Sequence, residues 1–191
     1  MAVLTEAGAV AAETARLRLR NWREEDIEPF IRHTNNEAVM RWLGGVKTRE
    51  FLDAVVRDRF MRWQGELGFT FWVVERWEDG ELLGFCGLKR ADGRGSTVAG
   101  EVEIGWRLRE DAWGLGYAKE AATAALAYAF ETAGAERVVA LTVDGNAPSW
   151  GLMRRLGMRR RSDLDYVDPD WPETMNPVIV YEMERSEWAS S

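Results

Sequence analysis

Residues 101–121 read Glu-Val-Glu-Ile-Gly-Trp-Arg-Leu-Arg-Glu-Asp-Ala-Trp-Gly-Leu-Gly-Tyr-Ala-Lys-Glu-Ala. Their first part alternates in polarity, which predicts a strand over residues 100–108. A short loop follows and ends in Gly114-Leu-Gly116. After it, Ala118, Ala121, Ala122, Ala125, Leu126, Ala129 and Phe130 recur at helical spacing, and Gly134 closes the run. That pattern predicts a helix over residues 116–133. A strand, glycine loop and helix in this order present free backbone N–H groups at the positive end of a helix dipole. Glycine also lets the backbone approach an anion closely. The loop therefore suits a phosphate or pyrophosphate. It has no Gly-Lys-Ser/Thr and no third glycine, so it matches neither the P-loop nor the dinucleotide fingerprint. Taken alone, it reads equally well as a tight turn before an Ala-rich packing helix.

Outward from this segment, both periods of secondary structure occur. Arg16-Leu-Arg-Leu-Arg20 alternates and predicts a strand with one buried face. Helical spacing predicts helices over residues 24–35, 37–43 and 48–67; the last carries a stripe of Phe51, Leu52, Val55, Val56, Phe60 and Trp63. The period then changes to two. Strands are predicted over residues 69–77 and 81–89, joined by Asp79-Gly80, a strong hairpin signal. Further strands are expected at 137–143, 158–166 and 178–184, with a short helix over 148–156 capped by Gly157. There are no internal repeats and no linker. The expected fold class is α+β, with a mostly antiparallel seven-stranded sheet and helices on both faces. Residues 1–13 read as a flexible N-terminal tail, 14–185 as the single domain and 186–191 as a C-terminal tail.

Composition narrows the function. A chain of 191 residues suits one domain that buries about 70% of its unfolded surface, with no need of a staple. The single cysteine, Cys86, excludes an intrachain disulfide and thiol-based zinc or redox sites, and the single histidine, His33, argues against a metal centre. No apolar run is long enough to span a bilayer, and the first residues lack a basic, apolar leader. A cytoplasmic location is expected, with no membrane partner. The net charge of −7 argues against a nucleic-acid partner and favours cationic ones.

The flanks of the glycine loop carry a resemblance. Trp113-Gly-Leu-Gly116-Tyr-Ala118 resembles the coenzyme A motif of the GNAT N-acetyltransferase superfamily, Arg/Gln-x-x-Gly-x-Gly/Ala, with Trp at its first position. Thr14-Ala-Arg-Leu-Arg-Leu-Arg20 with Trp22 and Asp26, Glu103-Ile-Gly-Trp106, and Asn146-Ala-Pro-Ser149 with Leu156-Gly-Met158 resemble the RimJ/RimL-like branch, whose members acetylate ribosomal-protein N-termini. The blocks run in the family's order across residues 14–184.

The resemblance implies acetyl-CoA as acetyl donor, held in a wedge where the family's fourth and fifth strands splay apart. That wedge maps between residues 105–108 and 141–143. Trp106, Arg107 and Leu108 would line it, and Trp113, Gly114, Leu115, Gly116, Tyr117 and Ala118 would hold the pyrophosphate. Asn146 and Ser149 would meet the cofactor arm. An amine must be neutral to attack a thioester, and free amines titrate near pH 8 to 10, so a base is needed. Glu103 is the expected base. Glu101, two residues earlier, shares its strand face. An oxyanion would be met by a strand N–H near Trp106. Many family members protonate the leaving thiolate with a Tyr, but here that position is Met153 and Ser149 takes the role. The acceptor site would use Trp42, Glu101, Tyr166 and Trp171, with Asp165, Asp168 and Asp170 drawing in a cationic amine. The expected acceptor is a small-molecule amine or a protein N-terminus. A homodimer is common among similar enzymes. Two competing readings stand beside the enzyme: an acetyl-CoA-binding sensor or docking module without turnover, and a structural domain whose loop binds nothing.

Overall fold

The computed structural model describes residues 6–189. One eight-stranded sheet runs in the order β1-β2-β3-β4-β5-β6-β8-β7. Its strands are β1 (Val10–Glu13), β2 (Leu17–Arg20), β3 (Phe71–Arg76), β4 (Leu82–Arg90), β5 (Val102–Leu108), β6 (Arg137–Val143), β7 (Arg159–Arg160) and β8 (Val178–Glu184). Every neighbouring pair is antiparallel except β5 and β6, which are parallel. The α+β expectation holds, with eight strands where seven were expected. The extra strand is β1, which pairs with β2. Residues 10–13 are thus part of the sheet and not a tail; residues 1–5 lie outside the described residues. The C-terminal tail is likewise corrected at residues 186–188. Helix α7 (Arg185–Trp188) follows β8, and Trp188 stacks on Phe130 with ring centroids 5.8 Å apart. Residues 190–191 lie outside the described residues.

Helices cover both faces. On one lies α5 (Tyr117–Ala127), which ends in a π turn over Tyr128–Thr132. Its small residues Ala121, Ala122 and Ala125 let the helix backbone settle against Leu17, Leu19, Val102 and Ile104. On the other face lie α1 (Ile27–Thr34), the short α2 (Glu37–Met40), and α3 (Arg49–Val55), a π turn and α4 (Arg62–Leu67), which together form the predicted long helix. Their apolar stripe, Phe30, Leu52, Val56 and Phe60, meets Phe71, Val73 and Phe85 of the sheet. Phe71 and Phe85 stack at 4.7 Å and Phe60 crosses both edge-on, the arrangement that aromatic quadrupoles favour. Helix α6 (Ala147–Arg155) follows β6. No helix of the described residues is long and apolar enough to cross a membrane.

At one position the polar side of β2 does not face water as its alternation predicts. Arg20 is buried and reaches Asp26 with two bonds of 2.7 and 2.8 Å and Glu75 with one of 2.6 Å. Asp26 in turn accepts the backbone N–H of Arg23 at 2.7 Å, which closes the turn into α1. This charged cluster ties β2, the turn into α1 and β3 together.

Candidate active site

The parallel pair β5 and β6 is joined only at Val102–Val138 and Glu103–Val139. Beyond these residues both strands continue without pairing to each other. The direction of the unpaired groups follows from the registers. The Arg109 N–H donates to Leu83 and the Ala91 N–H to Glu101, so odd residues of β5 bond to β4. Even residues, Trp106 among them, then turn their backbone groups toward β6. The Arg185 N–H donates to Glu136, so even residues of β6 bond to β8 and Leu141 faces the gap. Buried backbone groups almost always find partners. A gap edged by the main chain of Trp106 and Leu141 is therefore a slot for an extended chain that carries its own amides. The same parity sends the backbone of Arg107 to β4, so it offers the gap no main-chain group. Trp106 and Leu108 remain at the gap.

The loop lies at the end of the same strand. Trp113 is half exposed, and its indole N–H donates to the Leu108 carbonyl at 2.9 Å, which anchors the loop to β5. Gly114 and Gly116 have φ of 74° and 83°, left-handed values that favour glycine. Gly116 precedes the first turn of α5 and offers no side-chain cap. Among the described residues, the amide N–H groups of residues 114–119 have no acceptor. Arg16 braces the loop from outside, bonding the Leu115 carbonyl at 3.0 Å and Glu120 at 2.7 Å and lying over the Tyr117 ring. Tyr117 is buried, and Ala118 packs beside it against the core. Lys119 points to solvent.

Glu103 is partly buried, its side chain 13% exposed, on the face of β5 opposite α5. Lys89 Nζ lies 3.1 Å from its Oε2, and that oxygen accepts no hydrogen bond. Burial raises the Glu103 pKa and outweighs the opposing pull of Lys89. Lys89 is also paired with Asp92. Tyr166 is buried nearby, and burial raises its pKa as well, with Glu103 adding to the rise. Its Oη lies 2.6 Å from where a Gly93 Cβ would stand, so the loop after β4 closes over it. Glu101 precedes β5 and is bound to Arg137 at 2.6 Å, at the closed end of the wedge. The structure thus separates the two acids that alternation places on one face. Lys89 and Asp92 were not singled out from the sequence; a lysine paired across strands to an acid gives no signal without the register.

Past the open end of β6, Asn146 turns its side-chain N–H to Thr142 Oγ1 at 3.1 Å. That bond fixes the carboxamide, and its oxygen bonds to none of the described residues. The Ser149 N–H donates to the Asn146 carbonyl at 3.0 Å, whereas its hydroxyl bonds to none of the described residues. The hydroxyl therefore does not cap α6. Met153 is fully buried in the main core.

The two expected walls of the acceptor site meet. The Trp42 indole rests on Gly145, where a Cβ would stand 2.7 Å from the ring, and Trp171 approaches Gly44, where a Cβ would stand 3.2 Å away. The acids of the loop do not fit their expected role. Asp165 is paired with Arg160 at 2.5 Å and Asp170 with Arg94 at 2.9 Å, while Asp168 is buried and accepts the Asp170 N–H. The charges of Asp165 and Asp170 are thus met by arginines of the chain, which weakens the loop's attraction for a cationic amine.

A split parallel pair, an uncapped glycine loop and a partly buried carboxylate thus share one strand. Comparison with known proteins agrees with this geometry. Residues 16–159 match the Acetyltransferase (GNAT) domain. The chain is 32% identical over 176 residues to an uncharacterized N-acetyltransferase, YnaD, of Bacillus subtilis, covering 92% of this chain and 97% of that one. It is 31% identical over 174 residues to YkkB of the same organism, covering 88% and 92%. The solved GNAT-family acetyltransferase of Bacillus anthracis superposes with a TM-score of 0.73 at 26% identity, covering 92% of this chain and 98% of that one. The chain belongs to the GNAT acetyltransferase family and is an acyltransferase.

Proposed function

We propose that the protein is an acetyl-CoA-dependent N-acetyltransferase that transfers acetyl directly to a primary amine. One observation carries this reading: the unpaired main chain of Trp106 and Leu141 across the split, with the unpaired N–H groups of residues 114–119 at the end of the same strand. The first matches the amides of a pantetheine arm. The second matches a pyrophosphate, and the glycines leave no side chain in its way. Trp113, Asn146 and Ser149 keep the reading within the RimJ/RimL-like branch.

Acetyl-CoA supplies an acetyl group activated as a thioester. The chain's residues do the rest. Glu103 takes a proton from the incoming ammonium through water, and its raised pKa makes it a stronger base than an ordinary carboxylate. The Trp106 N–H, already directed into the gap, donates to the acetyl oxygen as negative charge develops there. The free hydroxyl of Ser149 donates a proton to the departing sulfur. Trp42 and Trp171 close the acceptor side and exclude water, which would otherwise compete with the amine.

The test is steady-state turnover with acetyl-CoA and a panel of primary amines and peptides. The expected result is thiol released in equal amount to acetylated amine. Saturable acetyl-CoA binding with no turnover on any amine would instead favour a sensor or docking module, a reading to which the loss of the tyrosine at Met153 lends weight.

A further inference from the structure

Resting on the reading above, we infer that the Arg107 side chain is the anchor for a carboxylate on the acceptor, so the acceptor is an amine that also carries an acid group. Arg107 stands on β5, on the same face as Glu103 and beyond the last β5–β6 pair. Its side chain is thus at the open end of the wedge, on the side of α1 and not on the side of α5. Its guanidinium lies over Phe85, its cross-strand neighbour, at 5.3 Å and over Phe30 of α1 at 5.6 Å. No carboxylate among the described residues forms an ion pair with it, and its Nε is buried without an acceptor.

Several arginines elsewhere in the chain do have such partners. Arg16, Arg20, Arg94, Arg109, Arg137, Arg160 and Arg161 are each bound to an acid of the chain. The aromatic cradle steadies the flat cation but does not replace its hydrogen bonds. Burial lowers the Arg107 pKa to about 10, which still leaves it charged near neutral pH. A buried guanidinium presents a rigid fork of donors that matches a carboxylate. Two of the loop acids that would select a purely cationic amine, Asp170 and Asp165, are already paired with Arg94 and Arg160. An acceptor with its amine toward Glu103 and its acid on Arg107 satisfies both ends.

The experiment compares the common L-amino acids, their carboxamides and the matching decarboxylated amines as acceptors. Wild-type protein, Arg107→Met and Arg107→Lys are assayed, each checked for folding by circular dichroism and for its thermal shift with acetyl-CoA. The expected result is a wild-type preference for at least one free acid over its carboxamide of about 30-fold or more in kcat/KM, expressed mainly in KM. Arg107→Met should remove that preference, Arg107→Lys should keep part of it, and both should keep the acetyl-CoA shift. Four results would overturn the inference: equal use of acids and carboxamides, a preference unchanged in Arg107→Met, a normal acetyl-CoA shift with none of the acids accepted, or loss of the shift in both variants, which would assign the anion to the cofactor. Absence of the shift in wild-type protein would instead overturn the acetyl-CoA reading on which the inference rests.

Discussion

Glu103→Gln lowers kcat by about 10²- to 10⁴-fold, the usual range for removal of a general base. The substitution keeps the shape of the side chain and removes only its ability to take a proton. The pH profile separates this role from a structural one. Glu103 acts only when deprotonated, and burial raises its pKa above the ordinary carboxylate value. Wild-type kcat/KM should therefore fall on the acid side through a limb that lies above pH ~4.3, the ordinary glutamate value. A second limb, at higher pH, belongs to the amine itself. In Glu103→Gln the first limb should vanish and the second remain. If the variant keeps both limbs, or keeps its rate, the base lies elsewhere, and Glu103 is only the partly buried partner of Lys89.

The second large effect is on stability. Arg20→Met should destabilise the fold by about 3–5 kcal/mol, because Asp26 then stays buried without a cation and Glu75 keeps only Arg18, 3.8 Å away. For a domain of this size that corresponds to a fall in the melting midpoint of roughly 10 °C. The charge left behind is the cause, not the lost packing, since Met fills much of the arginine's volume. Adding Asp26→Asn and Glu75→Gln to Arg20→Met should therefore recover part of the loss. Thermal unfolding of the single and triple variants decides the point: a triple variant no more stable than the single one would show that packing and the Asp26 turn, not uncompensated charge, set the cost.

Much of this architecture is legible in the sequence because its signals are local. The shift from period 3.6 to period 2 near residue 69, the Asp79-Gly80 hairpin and the glycines at 114 and 116 each follow from backbone preference alone. Glu103 and Trp106 stand out as candidates because they sit beside the loop in one short segment. What escaped depends on register. The sequence alternates Glu101 and Glu103 on one face, but only the pairing of β5 with β6 shows that Glu101 is spent on Arg137. The acidic stretch 163–173 reads as a lure for cations until the arginines from residues 94 and 160 are placed against it. β1 escaped because a four-residue edge strand of small residues carries too little alternation to register. That the backbone of Arg107 turns to β4 and not into the gap is likewise invisible without the ladder.

The most direct test of the central claim is thermal unfolding with and without acetyl-CoA, with desulfo-CoA and ATP as controls and Gly116→Val as the altered loop. At 100 times its dissociation constant, a ligand that binds only the folded chain adds about 2.7 kcal/mol, which raises the midpoint by roughly 5–10 °C here. The account predicts that shift with acetyl-CoA and desulfo-CoA, none with ATP, and little or none in Gly116→Val, whose side chain would be strained at a φ of 83°. No shift with saturating acetyl-CoA in the wild-type protein would contradict it and leave the glycine loop as a turn that binds nothing.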